Sequence, residues 1–202
     1  MEFVYGCSFS YFHPKRRTGP SARAYWPNSD RVHFLATMDS GHFRNLPVRN
    51  IIDGVREALE PSKAGVDIYV ALAEFGSVES RKADNVVSVR GFWLDIDCGE
   101  DKAAAGKGYA TVELAWDALD QFCTQIGIPL PTHVVLSGGG LHCHWVLTES
   151  LDAAAWKAVA KQFKRLTEVF NLLADPSRTA DIASVMRLPG TWNYKYERKR
   201  TF

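Results

Sequence analysis

From Val86 onward the hydrophobic pattern changes period in a fixed order, and that order limits the folds open to the chain. Val86 to Asp97 reads as a strand enriched in Val and Phe. Gly99 to Gly108 is a polar loop flanked by glycines. Thr111 to Ile126 reads as a helix, with Thr111 as its cap and Leu114, Ala115, Ala118, Leu119 and Phe122 as its apolar stripe. Pro129 and Pro131 end it. Thr132 to Leu136 and Leu141 to Leu147 are two short strands around a glycine-rich turn. Asp152 to Leu173 is the clearest helix: Trp156, Val159, Phe163, Leu166, Phe170 and Leu173 recur at intervals of three and four. Lys157, Lys161, Lys164 and Arg165 fall largely off that stripe and form a solvated face. A strand-like segment closes the series.

That succession is compatible with an RRM-like β-α-β-β-α-β sheet. Upstream of it, Arg31 to Thr37 looks like a strand. Pro47 to Leu59 has helical spacing (Val48, Ile51, Ile52, Val55, Leu59), with Pro47 suited to a first helical position. Val66 to Phe75 reads as a further strand. The first 30 or so residues mix aromatics with Pro, Gly and Ser and read as irregular. No internal repeat or low-complexity linker separates these parts. The chain stops at Arg200-Thr201-Phe202 without a tapering tail, which is compatible with an excised piece of a longer polypeptide.

With 202 residues, 46% of them hydrophobic and 23% charged, the chain has the composition of a globular protein of one domain with two lobes, or of two small domains. No apolar run approaches the roughly 18 residues of a membrane span. The N-terminus reads as neither a signal nor a transit peptide, so the expected home is the cytoplasm, with no membrane partner. Cys7, Cys98, Cys123 and Cys143 contain no C-x-x-C pair, so no structural zinc is expected and the thiols should be reduced. The net charge of +1 gives no broad basic field. A nucleic-acid partner would need a local patch, for which Lys15-Arg16-Arg17 and Arg198-Lys199-Arg200 are candidates, although solvated charge runs explain both.

Three stretches carry chemistry. In Leu94-Asp95-Ile96-Asp97 the two acids stand at i and i+2, on one face of a strand. Such a pair needs a cation or a shared proton. Mg²⁺ suits it, being held typically by one or two carboxylates plus substrate phosphates. Solvated acids at a strand end would look the same. Ser137-Gly138-Gly139-Gly140 can offer consecutive N–H groups as an anion nest, with His142 on the next strand able to donate to a phosphate oxygen. A tight hairpin with a half-buried histidine is the simpler explanation. Asp181 and Arg187-Leu188-Pro189-Gly190-Thr191 add a third acid and a cation. Asp175 competes with Asp181, although an Asp before Pro176 commonly starts a turn. Arg178 can pair with one of these acids. Lys195 could neutralise phosphate charge alongside Arg187. Lys102 and Lys107 could reach phosphate, or belong to a plain loop. His142-Cys143-His144 also fits the His-hydrophobe-His pattern of HUH endonucleases, with Tyr194 or Tyr196 as nucleophile, but that leaves Asp95 and Asp97 unexplained.

Taken together and in this order, the three stretches resemble the archaeo-eukaryotic primase, or prim-pol, superfamily. Leu94–Asp97 is similar to its metal-binding first motif, Ser137–Trp145 to its second, and Asp181–Thr191 to its third. The span from Asp175 to Lys195 is similar to versions from phages and plasmids. The match runs from about Asp84 to Lys195. The resemblance implies an α+β fold over 1–202: an α/β N-terminal lobe (1–85) packed on an RRM-like lobe (86–202), with the active site in the cleft between them. It implies that Asp95, Asp97 and Asp181 bind two divalent ions, Mg²⁺ or Mn²⁺. Ser137, Gly138, Gly139, Gly140, His142, Arg187 and Lys195 would contact the nucleotide. The implied activity is template-directed nucleotidyl transfer, a DNA primase or primase-polymerase that uses NTPs or dNTPs on single-stranded DNA. A helicase partner would lie outside this chain. Trp145 and Trp192 are candidate base stackers, with core packing the safer assignment for Trp145. The alternatives are an HUH-type nickase using His142 and His144, and a non-catalytic RRM-like nucleic-acid-binding module.

Overall fold

A computed structural model describes residues 31–195 and 199–200. The N-terminal stretch expected to be irregular, with Cys7 and Lys15-Arg16-Arg17, lies outside the described residues, as do Tyr196 and Arg198. The elements are β1 (His33–Asp39), β2 (His42–Val48), α1 (Ile51–Lys63), β3 (Asp67–Ala71), β4 (Ala73–Phe75), β5 (Val86–Asp97), α2 (Glu100–Ala104), α3 (Val112–Ile126), β6 (His133–Leu136), β7 (Gly140–Asp152), α4 (Ala153–Val169), α5 (Pro176–Thr179), β8 (Val185–Arg187), β9 (Trp192–Asn193) and β10 (Lys199–Arg200).

They build two four-stranded sheets, ordered β2-β1-β3-β8 and β4-β5-β7-β6, and a small β9-β10 ribbon. Every strand pairing is antiparallel. The fold is therefore α+β. The expected strand and helix succession after Val86 is present, with one rearrangement. The strand that follows the second long helix, β8, pairs with β3 in the first sheet, and the fourth place in the second sheet goes to β4. The apolar run expected as one strand over Val66–Phe75 breaks at Leu72, so its first half serves one sheet and its second half the other. The two sheets are thus joined covalently at Leu72 and crosswise through β8.

Segment ends follow local chemistry. Thr111 caps α3 by accepting from the Leu114 N–H at 3.3 Å, and Gly127 in the left-handed region stops the helix before the two prolines do. Asp152 caps α4 by accepting from Ala154 and Ala155 at 2.8 and 2.9 Å. Leu114, expected on the α3 stripe, is half exposed. The helix expected from Pro47 begins instead at Ile51. Pro47 lies in β2, where it faces Phe34 on an edge strand that needs no outward N–H from it. Ser40 and Gly41, both with positive φ, make the two-residue turn between β1 and β2. In α1, a Cβ on Gly54 would stand 2.7 Å from Val48 Cγ1, so glycine lets this helix lie close on β2. The polar Gly99–Gly108 segment holds the short helix α2.

Helices α3 and α4 pack on the second sheet, and α1 packs on the first. Trp156 of α4 is fully buried, stacked on Phe92 at 5.8 Å and Trp93 at 4.9 Å between ring centres, and donates to the Gly91 carbonyl at 2.7 Å. Trp145 is core, donating to the Pro129 carbonyl at 2.8 Å. Among the described residues no helix is long and apolar enough to cross a membrane. Replacing Trp156 by Phe would leave the Gly91 carbonyl without its partner and a gap beside Trp93. We expect the urea unfolding free energy to fall by about 1–3 kcal/mol, and an unchanged midpoint would contradict this account of the core.

Candidate active site

Asp95 and Asp97 stand at the C-terminal end of β5, an interior strand. Alternation puts both on one face, with Ile96 buried on the other. The register with β7 sets Asp95 opposite His142 and Asp97 opposite Gly140. The first two sequence motifs are therefore neighbours by strand pairing. His142 Nε2 lies 3.6 Å from Asp95 Oδ1. Lys102, projecting from α2, sets its Nζ 2.7 Å from Asp97 Oδ2.

Burial pushes the Asp95 carboxyl above the usual range, with His142 opposing and Asp97 and Asp175 reinforcing the shift. Burial likewise holds His142 below the ordinary imidazole value, against the pull of Asp95. Its Nδ1 is buried and has no hydrogen-bond partner. Each charged form is thus disfavoured by its surroundings, a condition common at reactive sites.

The glycine turn is clamped on three sides. Ser137 N and Oγ both donate to the Gly140 carbonyl, at 3.0 and 3.2 Å, and Gly139 N reaches Ser137 Oγ at 3.4 Å. Cys98 N donates to the Gly139 carbonyl at 2.8 Å, and Asn193 Nδ2 to the Ser137 carbonyl at 2.6 Å. A side chain at Gly140 would collide with the Ile96 carbonyl and stand 3.0 Å from Asp97 Cα. The hairpin and its close approach to β5 therefore account for Gly140. Gly138 and Gly139 remain only half-buried beside the acids.

The third motif arrives by a different route. The helical turn α5 lies against β5: Asp175 N donates to the Asp95 carbonyl at 2.7 Å, and Trp93 Nε1 donates to the Arg178 carbonyl at 2.9 Å. The Asp175 carboxylate caps α5, accepting from Ser177 N at 2.8 Å and Ser177 Oγ at 2.7 Å. Asp181 Oδ1 accepts from Ala183 N at 3.0 Å, and its charge acts on Arg81 across a cleft that both residues line. Among the described residues, no three His, Cys, Asp or Glu side chains come together as a metal-holding group. The structure thus joins Asp95, Asp97 and His142. It sets Asp175 next to them by the backbone, and gives Asp181 local partners of its own.

Arg187 is buried in a bidentate pair with Asp67, at 2.7 and 3.4 Å, and its guanidinium lies 4.9 Å from the centre of the Tyr69 ring. Asp67 also accepts from Tyr194 N at 2.9 Å. Lys195 is exposed, and its backbone N–H donates to Asn193 Oδ1 at 3.0 Å. Sequence reasoning missed Asp67 and Tyr69. Their signal was an acid opening the Val66–Phe75 run and an aromatic two residues on, which strand alternation puts on one face.

His144 is buried opposite Trp93 and His133, and burial holds it well below its ordinary value. Tyr194 Oη donates to the Ser62 carbonyl. Cys98, Cys123 and Cys143 are free thiols, and burial pushes Cys98 up to about 11 and Cys123 up to about 12.

No family model and no curated protein sequence matches the chain. Solved structures do. The AEP domain of the cyanophage S-2L primase-polymerase is similar over 90% of this chain and 85% of its own, with a TM-score of 0.61 and 17% identity. The catalytic domain of the primase Repb′, solved in complex with initiator DNA, is similar over 89% of this chain and 83% of its own, with a TM-score of 0.53 and 17% identity. The fold is that of the archaeo-eukaryotic primases, the prim-pol fold, as the sequence motifs led us to expect.

The raised Asp95 carboxyl costs stability wherever the folded state must hold it ionised. That cost is present at neutral pH and is lost as the pH falls through the folded value. Asp95→Asn should therefore raise the melting temperature at pH 8. The gain should shrink on acidification. A lower melting temperature at pH 8 would contradict the electrostatic account.

Proposed function

We propose that this chain is a template-directed nucleotidyltransferase, a DNA primase or primase-polymerase. The observation that carries the proposal is the β5–β7 register, which sets Asp95 opposite His142 and Asp97 opposite the glycine turn at one strand end of a prim-pol fold. Paired carboxylates beside a histidine with a buried, unpartnered ring nitrogen are an expensive way to end a strand. A ligand that supplies a cation and phosphate oxygens would relieve both costs.

The residues fit a hard divalent ion. Such an ion uses one or two protein carboxylates and completes its shell from water and substrate phosphates. Asp95 and Asp97 would hold Mg²⁺ or Mn²⁺, with Lys102 limiting their mutual repulsion until the ion binds. When bound, divalent metal lowers the charge on triphosphate and hydroxyl oxygens during the transfer. A second ion would need a third carboxylate from the Asp175–Asp181 turn: Asp181 by its place in the motif, or Asp175 by its bond to the Asp95 backbone. His142 and the Ser137–Gly140 rim would meet the triphosphate. Arg187 would act mainly by fixing Asp67 and Tyr69 in the facing wall, and Lys195 would add charge at the exposed edge. The template would be single-stranded DNA, held through phosphates and base stacking, with any helicase outside this chain.

The test is incubation with single-stranded DNA, labelled NTPs or dNTPs, and Mg²⁺ or Mn²⁺. New oligonucleotides are expected. A covalent tyrosine–DNA adduct would instead identify a nickase, and binding without product a passive module. Asp95→Ala and Asp97→Ala should each lower synthesis by about two to three orders of magnitude or more while keeping a cooperative unfolding transition. Activity near wild type in either would overturn the metal assignment. His142→Ala should raise the KM for nucleotide about tenfold, the scale of one hydrogen bond to a charged group; an unchanged KM would remove His142 from the nucleotide site. Titration of Mn²⁺ into Asp175→Asn and Asp181→Asn decides the third acid, since only the variant lacking a true ligand should lose affinity.

A further inference from the structure

Resting on the proposed nucleotidyl-transfer site, we propose that Arg178, rather than Arg187, is the cation that meets the triphosphate of the incoming nucleotide. Arg187 is committed: its guanidinium is buried, bidentate with Asp67 and stacked on Tyr69. Turning it toward a ligand would leave Asp67 as a buried carboxylate without its counter-ion, which is strongly destabilising.

Arg178 is in the opposite situation. Its main chain is fixed, because its carbonyl accepts from Trp93 Nε1 at 2.9 Å and from Asp181 N at 3.2 Å. Trp93 stands two residues before Asp95 on β5. The same helical turn is tied again to that strand by the bond from Asp175 N to the Asp95 carbonyl, at 2.7 Å. The side chain, by contrast, is 43% exposed, and its pairing with Asp175 is long, at 3.9 Å. The Asp175 carboxylate is meanwhile occupied in capping the turn. The guanidinium of Arg178 lies near enough for its charge to act on Asp95 and His142 of the site, and on Tyr69 and Arg81. A rigid backbone under a loosely held guanidinium suits a residue that must reach a phosphate. Guanidinium presents a planar fork that can bind phosphate through two N–H groups at once.

The test is equilibrium binding of ATP, dATP, AMP and a short oligo(dT) to the wild-type chain, Arg178→Gln and Arg178→Lys, in Mg²⁺, followed by calorimetry. Arg178→Gln should weaken ATP and dATP binding about tenfold or more, and leave AMP and oligo(dT) within twofold. Arg178→Lys, which keeps the charge without the fork, should fall between the two and also reports if the Gln variant fails to fold. Equal triphosphate affinity in wild type and both variants would overturn the assignment and leave the nucleotidyltransferase proposal standing. A loss confined to oligo(dT), or one equal for ATP and AMP, would also overturn it. A wild-type chain that binds neither triphosphate would overturn both proposals.

Discussion

The buried pair between Asp67 and Arg187 is the interaction on which the arrangement of the two sheets depends. Asp67 opens β3 and Arg187 ends β8, so the pair fastens a strand from late in the chain to the sheet built first. Without it, β8 would be held to β3 by three ladder positions alone. Tyr194 N and the Tyr69 ring complete the surroundings of the two charges, which is the condition under which a buried ion pair is tolerated. Because β8 is held there, α5, which precedes it, is drawn across β5 next to Asp95.

The acidic strand end follows the opposite logic. Asp95 and Asp97 lie at the end of β5 and gain only partial compensation from His142 and Lys102. The Asp67 carboxylate is well paired, whereas the Asp95 carboxylate is destabilised as an anion. One fold thus holds a satisfied carboxylate that fixes β8 beside β3 and a frustrated one at the acidic end of β5. Strain of this kind is what a substrate bearing metal and phosphate can relieve, and stability and function then pull in different directions at Asp95.

Much of the second sheet was legible in the sequence because its signals are local. The cap at Thr111, the helix beginning at Asp152, the strand character of β5 and the glycine turn at 138–140 each depend on a few residues, and all are present. The spacing Asp95-x-Asp97 and the position of His142 after the turn mark two segments that the antiparallel pairing of β5 with β7 brings together. The first sheet was harder to read. The β2 strand carries Pro47 and a mixed, exposed face, so its periodicity was outweighed by the helical spacing that follows. The split of Val66–Phe75 between sheets has no local signal, since both halves are apolar and the break at Leu72 is decided by what each half packs against. The partner of Arg187 has no local signal either: a cation beside a glycine-rich motif suggests phosphate, and Asp67 stands far away in the sequence.

The division of labour between the two arginines also bears on the third acid. Asp181 follows Arg178 closely and donates its own N–H to the Arg178 carbonyl, while its carboxylate holds Ala183 N and acts on Arg81. Asp175 is bonded through its backbone to Asp95, but its carboxylate caps a single helical turn. Neither acid is idle, and either would have to exchange a local hydrogen bond for metal. The exchange costs less at Asp181, which would give up one backbone donor, than at Asp175, which would release both Ser177 donors and with them the cap that orients Arg178. If Arg178 faces the triphosphate, Asp175 serves the site best by keeping α5 capped, which leaves Asp181 as the acid free to turn toward a second ion.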